Sequence, residues 1–185
     1  MNPDERVRNL INRLARLDVA RTWTGDVNPA QRAALEYLRD ANQFSRTPSH
    51  VAEYLGTTRG TMSQTLKALL RKEYVREERS ASDRRSISYT LTEHGAAIVT
   101  DENILAGAFG SLSPTEVATL ETVLSGGLKK ILEQNGSRSF GLCYSCNFHT
   151  INNEHPYCKL LSLPLTEVES EKICVEHQTG MQSGR

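Results

Sequence analysis

Residues 47–72 read Thr47-Pro48-Ser49-His50-Val51-Ala52-Glu53-Tyr54-Leu55-Gly56-Thr57-Thr58-Arg59-Gly60-Thr61-Met62-Ser63-Gln64-Thr65-Leu66-Lys67-Ala68-Leu69-Leu70-Arg71-Lys72. Thr47-Pro48 is a helix start: the hydroxyl can accept from a first-turn N–H, and proline is pre-organised for the first helical position. Gly56 is a natural left-handed stop. Thr57 or Thr58 can cap the next helix. The stretch predicts a short helix from Pro48 to Leu55, a turn, and a second helix to about Lys72. On a wheel of about 100° per residue, Met62, Leu66 and Leu69 fall within about 60° and face inward. Gly60, Gln64, Lys67 and Arg71 face the other way, flanked by Arg59 and Ser63.

The period then changes from 3.6 to 2. Tyr74–Arg79 and Ser86–Leu91 read as strands, with Ile87, Tyr89 and Leu91 of the second forming one buried face. Ser80-Ala81-Ser82-Asp83-Arg84-Arg85 between them is a polar hairpin tip. Two short helices, a Gly-containing turn and a hairpin follow the order of a winged helix-turn-helix. The outward face of the second helix has the chemistry a major groove requires. Gln and Arg read base edges by paired hydrogen bonds, Ser and Lys bind phosphate, and Gly60 leaves room for close approach. A solvated helix face would carry the same residues, so the hairpin tip matters. Arg84 and Arg85 there would reach into a narrow minor groove.

Val51–Gly56, Thr61–Leu66 and Asp83-Arg84-Arg85-Ser86-Ile87-Ser88-Tyr89-Thr90-Leu91-Thr92-Glu93-His94-Gly95 resemble the MarR family of bacterial transcription regulators. The resemblance covers about residues 28–98. It implies a homodimer whose first and last helices intertwine, a recognition helix in each major groove and a wing in each minor groove. Asp83 and Arg85 match the family's wing pair, the Arg contacting DNA and the Asp orienting it. Candidate DNA-binding residues are Thr58, Arg59, Gly60, Thr61, Ser63, Gln64, Lys67, Asp83, Arg84 and Arg85. One departure is Glu73, where the family often has Gly. Glu in a left-handed conformation would cost about 1 kcal/mol, so a different local turn is expected.

Outward from this segment, Asn2-Pro3, Asn28-Pro29 and Ser113-Pro114 mark further helix starts, and Ser113 with Glu116 forms a capping box. Helices are expected over Pro3–Thr22, Pro29 to about Asn42 with Ala33, Leu35 and Leu38 inward, Thr92 to about Ala108, and Pro114 to about Gln134. Gly126-Gly127 would cost about 1 kcal/mol each and kink the last of these. The first helix carries Val7, Leu10, Ile11, Leu14 and Leu17 at helical spacing. The Pro114 helix carries Val117, Leu120, Val123, Leu124, Leu128, Ile131 and Leu132, more apolar surface than a small monomer buries. Two heads held by these helices, about 3–22 and 114–134, would suit a palindromic operator.

From Ser137 the chain departs from the MarR pattern. All four cysteines lie here, at Cys143, Cys146, Cys158 and Cys174. Cys143 and Cys146 form a knuckle-type pair able to face one metal. Thr166-Glu167-Val168-Glu169 opens a short helix that is expected to place Cys174 and His177 on one face. A segment this small usually needs a staple. Four thiolates would hold Zn²⁺ or an iron–sulfur cluster, [2Fe–2S] or [4Fe–4S], with Zn²⁺ favoured for a closed site. A site of Cys143, Cys146, Cys174 and His177 and a reversible thiol switch are the alternatives. His149 and His155 read as loop residues, His50 and His94 as surface or interface residues.

The 185 residues hold 22 basic and 22 acidic side chains, but unevenly: residues 44–95 carry net +3 and residues 96–136 net −3. No apolar run suits a membrane span or a signal peptide, which points to the cytoplasm. No catalytic motif such as H-E-x-x-H is present, so an enzyme is not expected. The expected fold is mainly α with a small β wing (α+β): a winged-helix dimer over 1–136 and a metal-stapled module over 137–185. The expected function is a homodimeric transcription regulator on double-stranded DNA, responsive to metal or redox state. The alternative is a winged-helix and zinc protein-interaction module that does not read DNA.

Overall fold

The computed structural model of the chain describes residues 1–22, 25–79, 87–99 and 104–178. The elements in chain order are α1 (Pro3–Thr22), α2 (Pro29–Asp40), α3 (Pro48–Tyr54), α4 (Arg59–Arg71), β1 (Val75–Arg79), β2 (Ile87–Leu91), α5 (Glu93–Ile98), α6 (Ile104–Phe109) and α7 (Pro114–Gln134). After them come β3 (Gly141–Leu142), β4 (His149–Asn152), β5 (His155–Cys158), β6 (Leu163–Pro164), α8 (Glu167–Ser170) and β7 (Ile173–Cys174). The fold is mostly helical with a small antiparallel wing, as the sequence led us to expect. No helix among the described residues is long and apolar enough to cross a membrane.

The helix starts are set by local chemistry. The side chains of Asn28, Thr47, Thr58, Thr92, Ser113 and Thr166 each accept from an N–H three residues on, satisfying one of the orphan donors of the first turn. Three ends use one backbone device. After α3, α4 and α7, Gly56, Glu73 and Gly136 take φ of 63°, 61° and 62°. Each pair of following amides closes back on the last helical turn, as in Tyr74 N to Leu69 O (3.0 Å) and Glu73 N to Leu70 O (3.1 Å). This is the Schellman pattern. The turn at Glu73 therefore does not differ, contrary to expectation. Two backbone bonds hold the left-handed conformation in spite of the side chain.

The helix expected from Thr92 to Ala108 is instead two, α5 and α6. α5 stops because α2 caps it: Arg32 Nη1 donates to Ile98 O and Arg39 Nη1 to Val99 O, both at 2.9 Å. Cations at a helix C-terminus satisfy its free carbonyls. α7 runs through Gly126-Gly127 without a break in its helical span. In the wing, Val75 pairs with Leu91 and Arg79 with Ile87. The expected alternation on β2 holds only in part. Tyr89 is buried, but so is Thr90, while Ile87 and Leu91 are half-buried. Thr90 Oγ1 is drawn in by Arg76 Nε (2.8 Å) and Glu78 Oε1 (2.9 Å).

The main core lies between α2, α3, α4 and the wing. Leu35, Val51, Leu66 and Leu69 have no exposed surface. Gly95 opens α5 directly over the Tyr74 carbonyl, where an added Cβ would collide with backbone. By contrast α7 buries no residue within the chain. Leu10, Val123, Leu128 and Ile131 each expose more than half of their surface.

The last segment folds back onto this head. A small sheet β4-β5-β6 and the ladder β3-β7 form it. Phe140 stacks edge-on against Tyr54 (5.4 Å) and Tyr37 (6.4 Å). Ala41 bridges to Ile173, and Asn42 N donates to Ile173 O (2.8 Å).

Candidate nucleic-acid interface and cysteine cluster

α4 presents the expected two faces. Met62, Leu66 and Leu69 are buried; Arg59, Gly60, Gln64, Lys67 and Arg71 are exposed and Ser63 half-buried. Thr58 and Thr61 have a structural task. Thr58 Oγ1 accepts from Thr61 N (3.1 Å), and the two hydroxyls bond at 2.8 Å. Asp83, Arg84 and Arg85 lie outside the described residues.

The basic residues of this segment divide sharply. Arg46 donates to Ala41 O and lies 3.7 Å from Glu169. Lys72 pairs with Asp26 (3.3 Å), Arg76 with Glu78 (3.0 Å) and Arg79 with Glu77 (3.4 Å). Arg59, Lys67 and Arg71 have no ion pair or side-chain hydrogen bond among the described residues, and all three sit on the outer face of α4. The net +3 of the segment is thus not a diffuse surplus. Within the described part of it, the uncommitted cations line one helix. Fixed positive charge beside exposed Gln64 can bind phosphate and a base edge together. Sequence reasoning missed this division, because the neutralising partners lie across strands or on other elements.

The second site is the cysteine cluster. All four cysteines are free thiols, Cys143 and Cys174 buried, Cys146 and Cys158 half-buried. Their convergence follows from the two small sheets. Gly141 pairs with Cys174 across β3-β7, and His149 with Cys158 across β4-β5. Cys146 N donates to Cys143 O (3.0 Å) in the knuckle turn. The Cys143 thiol hydrogen-bonds the Cys174 sulfur and lies within electrostatic reach of Cys158 and Cys146, which pushes its pKa up. That same bond, with help from Asn42 and the Glu176 amide, lowers Cys174 to about 6. Gln178 N donates to Cys146 Sγ at 3.4 Å. The donor chemistry fits a thiophilic metal. Among the described residues, however, no three His, Cys, Asp or Glu side chains are yet gathered closely enough to hold an ion.

His177 does not share a helix with Cys174, as the capping box suggested. α8 ends at Ser170, and Cys174 belongs to β7. His177 is buried, with Nε2 2.9 Å from Ser145 Oγ and Nδ1 3.3 Å from Ser139 Oγ. Both ring nitrogens are thus taken by serines, and Gly141 is pressed against the ring. His149 and His155 lie in strands rather than loops, and His149 Nε2 is 3.2 Å from Ser170 Oγ. His94 stacks on Tyr74 at 4.4 Å. His50 is half-buried, with an unpartnered Nδ1.

Residues 25–86 match the family model described as "MarR family". No curated protein matches the chain significantly. Solved structures do. The DNA complex of S. aureus MepR is 21% identical with a TM-score of 0.56, covering 71% of this chain and 99% of that one. The transcriptional regulator SlyA is 18% identical with a TM-score of 0.56, covering 69% and 95%. The reduced form of MarR from E. coli is 25% identical with a TM-score of 0.50, covering 71% and 97%. Nearly the whole of each neighbour is matched, so this chain carries an additional portion that those structures lack. The matched part has the winged-helix fold of these structures, and within it residues 25–86 are similar in sequence to the MarR family.

Proposed function

We propose that the chain is a sequence-specific transcription regulator that binds a palindromic DNA duplex as a homodimer. One observation carries this reading: Arg59, Lys67 and Arg71, uncommitted among the described residues, share the outer face of α4 with Gln64. The MepR structure of like fold was solved as a DNA complex, which supports a DNA partner here. The dimer follows from the apolar stripes of α1 and α7. A helix with no buried residue but with Val117, Leu124, Leu128 and Ile131 along one side needs a partner surface. The wing pair Asp83 and Arg85, with Arg84, would complete the grip in the minor groove.

The four-cysteine cluster is the second part of the proposal. Cys143, Cys146, Cys158 and Cys174 would hold Zn²⁺, or in its place an iron–sulfur cluster, once the knuckle and the β5 thiol draw together. Either group would neutralise the thiolates and staple the small sheets. Metal analysis and the anaerobic absorption spectrum of the purified protein separate the two. The DNA reading is tested by anisotropy on labelled duplexes over a range of salt. Affinity that falls steeply with salt supports it, and absent or salt-independent binding would defeat it.

A further inference from the structure

After α7 the chain turns straight back to its own head. Gly136 N donates to Glu133 O (3.3 Å) and Ser137 N to Leu132 O (2.9 Å), which fixes the backbone to the end of that helix. Three residues later Phe140 is docked on the head, its ring edge-on to Tyr54 of α3 and Tyr37 of α2. Those two rings are themselves 4.6 Å apart. Both residues between are held as well. Arg138 N donates to Glu53 Oε1 of α3 (3.3 Å), Arg138 Nε lies 3.8 Å from Glu53 Oε2, and Arg138 Nη1 donates to Glu176 Oε1 (3.2 Å). Ser139 Oγ donates to His177 O (2.8 Å). Residues 137–140 thus form a strap from the dimer helix to α3. The module beyond it grips the same part of the head, with Val175 N donating to Ser45 Oγ (2.8 Å) and Gln43 N to Glu169 Oε2 (2.7 Å).

Phe140 carries most of this strap. Exposed ion pairs such as those of Arg138 contribute little, whereas edge-on aromatic pairs at these distances add to the gain from burial. Phe140 also takes φ of 45°, a region that residues with a side chain seldom occupy, so its docking outweighs a backbone penalty. The four steps from Gly136 to Phe140 span at most about 14 Å when fully extended, which bounds how far the end of α7 can draw away from the head.

The head is thereby tied at three places. The chain enters it from α1 at Asp26, which accepts from Tyr74 Oη (2.7 Å). It leaves toward α6 at Val99, whose carbonyl accepts from Arg39 (2.9 Å). The strap is the third tie, on α3. A body tethered at two points can still turn about the line between them, and a third tether off that line stops the turn. Packing of α7 does not perform this task, because α7 buries no residue within the chain.

We propose that the 137–140 strap, through Phe140 and Arg138, sets the angle of each head to α7 and so selects the half-site spacing that the dimer accepts. This rests on the dimeric DNA-binding reading above. Phe140 and Arg138 are positioning residues: they act through α3, on which α4 packs, and the base contacts remain those of α4.

The test uses the full chain with Gly-Ser-Gly-Ser inserted between Ser137 and Arg138, which slackens the strap and keeps the residues that dock at either end. Fluorescence anisotropy reads affinity for the inverted repeat that wild type selects, for the same repeat with two base pairs added or removed between its halves, and for a single half-site. Sedimentation velocity checks the dimer. Wild type should favour the selected spacing by about ten-fold or more, because geometry that hinders simultaneous engagement forfeits avidity. In the insertion variant half-site affinity should be unchanged, while the spacing preference falls to about two-fold. Phe140→Ala, which releases the other end of the strap, should broaden spacing in the same way and carries the same readouts where the insertion does not fold. A dimeric variant that keeps the wild-type preference overturns the proposal. So does a loss of half-site binding in step with the loss of preference, since the strap would then only hold the head together. A wild type that is monomeric where it binds DNA defeats the dimer reading and this inference with it, whereas a wild-type dimer that accepts all spacings equally defeats this inference alone.

Discussion

Replacing Leu128 and Ile131 together by alanine probes the assembly without touching the head. Each side chain exposes 56% of its surface in the single chain. Full burial of a Leu or Ile is worth about 1.5–3 kcal/mol, so covering the exposed half is worth about 1–1.5 kcal/mol each. A two-fold dimer contains four such side chains, giving about 4–6 kcal/mol. Alanine forfeits most of this, so the dimer dissociation constant should rise by about 10³–10⁴-fold. The monomer should be unharmed, because α7 buries nothing within its own chain and alanine favours helix. Sedimentation velocity across a concentration series reads the shift, and far-UV circular dichroism checks the helices. Affinity for a two-half-site duplex should fall with dimerisation, while single half-site binding stays the same. Unchanged association in the variant, or a wild type that stays monomeric where it binds DNA, would refute the interface.

Further outcomes follow from named contacts. Gly95→Ala drives a Cβ into the Tyr74 carbonyl; backbone on both sides limits relief, so stability should drop by about 2 kcal/mol or more, read as a lower denaturant midpoint, and an unchanged midpoint would contradict the close approach. Lys67→Ala should weaken binding evenly across duplex sequences and reduce the salt slope by about 1, whereas Gln64→Ala should relax preference at one base pair per half-site by about 1–3 kcal/mol. Burial lowers the pKa of His50 and of His177 from 6.5, so the unfolded chain takes up their protons first. Stability should be full above about pH 6.5 and decline as pH falls from there toward the lower folded values; a flat urea-midpoint profile through that range would contradict the burial.

Much of the fold could be read directly because its determinants are local. Caps at Thr47, Thr58 and Ser113 need only three residues in sequence, and the stripe Met62, Leu66, Leu69 needs only helical spacing. Glu73 misled because the left-handed turn is held by backbone bonds that do not depend on its side chain. The break between α5 and α6 was hidden for the opposite reason, since Arg32 and Arg39 reach it from another helix. The same holds for the site. Candidate residues on α4 were legible, but which cations are uncommitted depends on Glu169, Asp26, Glu77 and Glu78. The docking of the cysteine module was beyond reach altogether. Ser45 and Val175 meet across 130 positions, with no pattern in either segment to announce it.

The central claim is that α4 of a dimer reads duplex DNA, and selection from a random duplex library at physiological salt tests it most directly. The account predicts enrichment of an inverted repeat with half-site centres about one helical turn apart, lost when Arg59, Gln64 and Lys67 are all replaced by alanine in a protein that still folds and dimerises. Enrichment of no sequence, or of the same repeat by the triple variant, would contradict it.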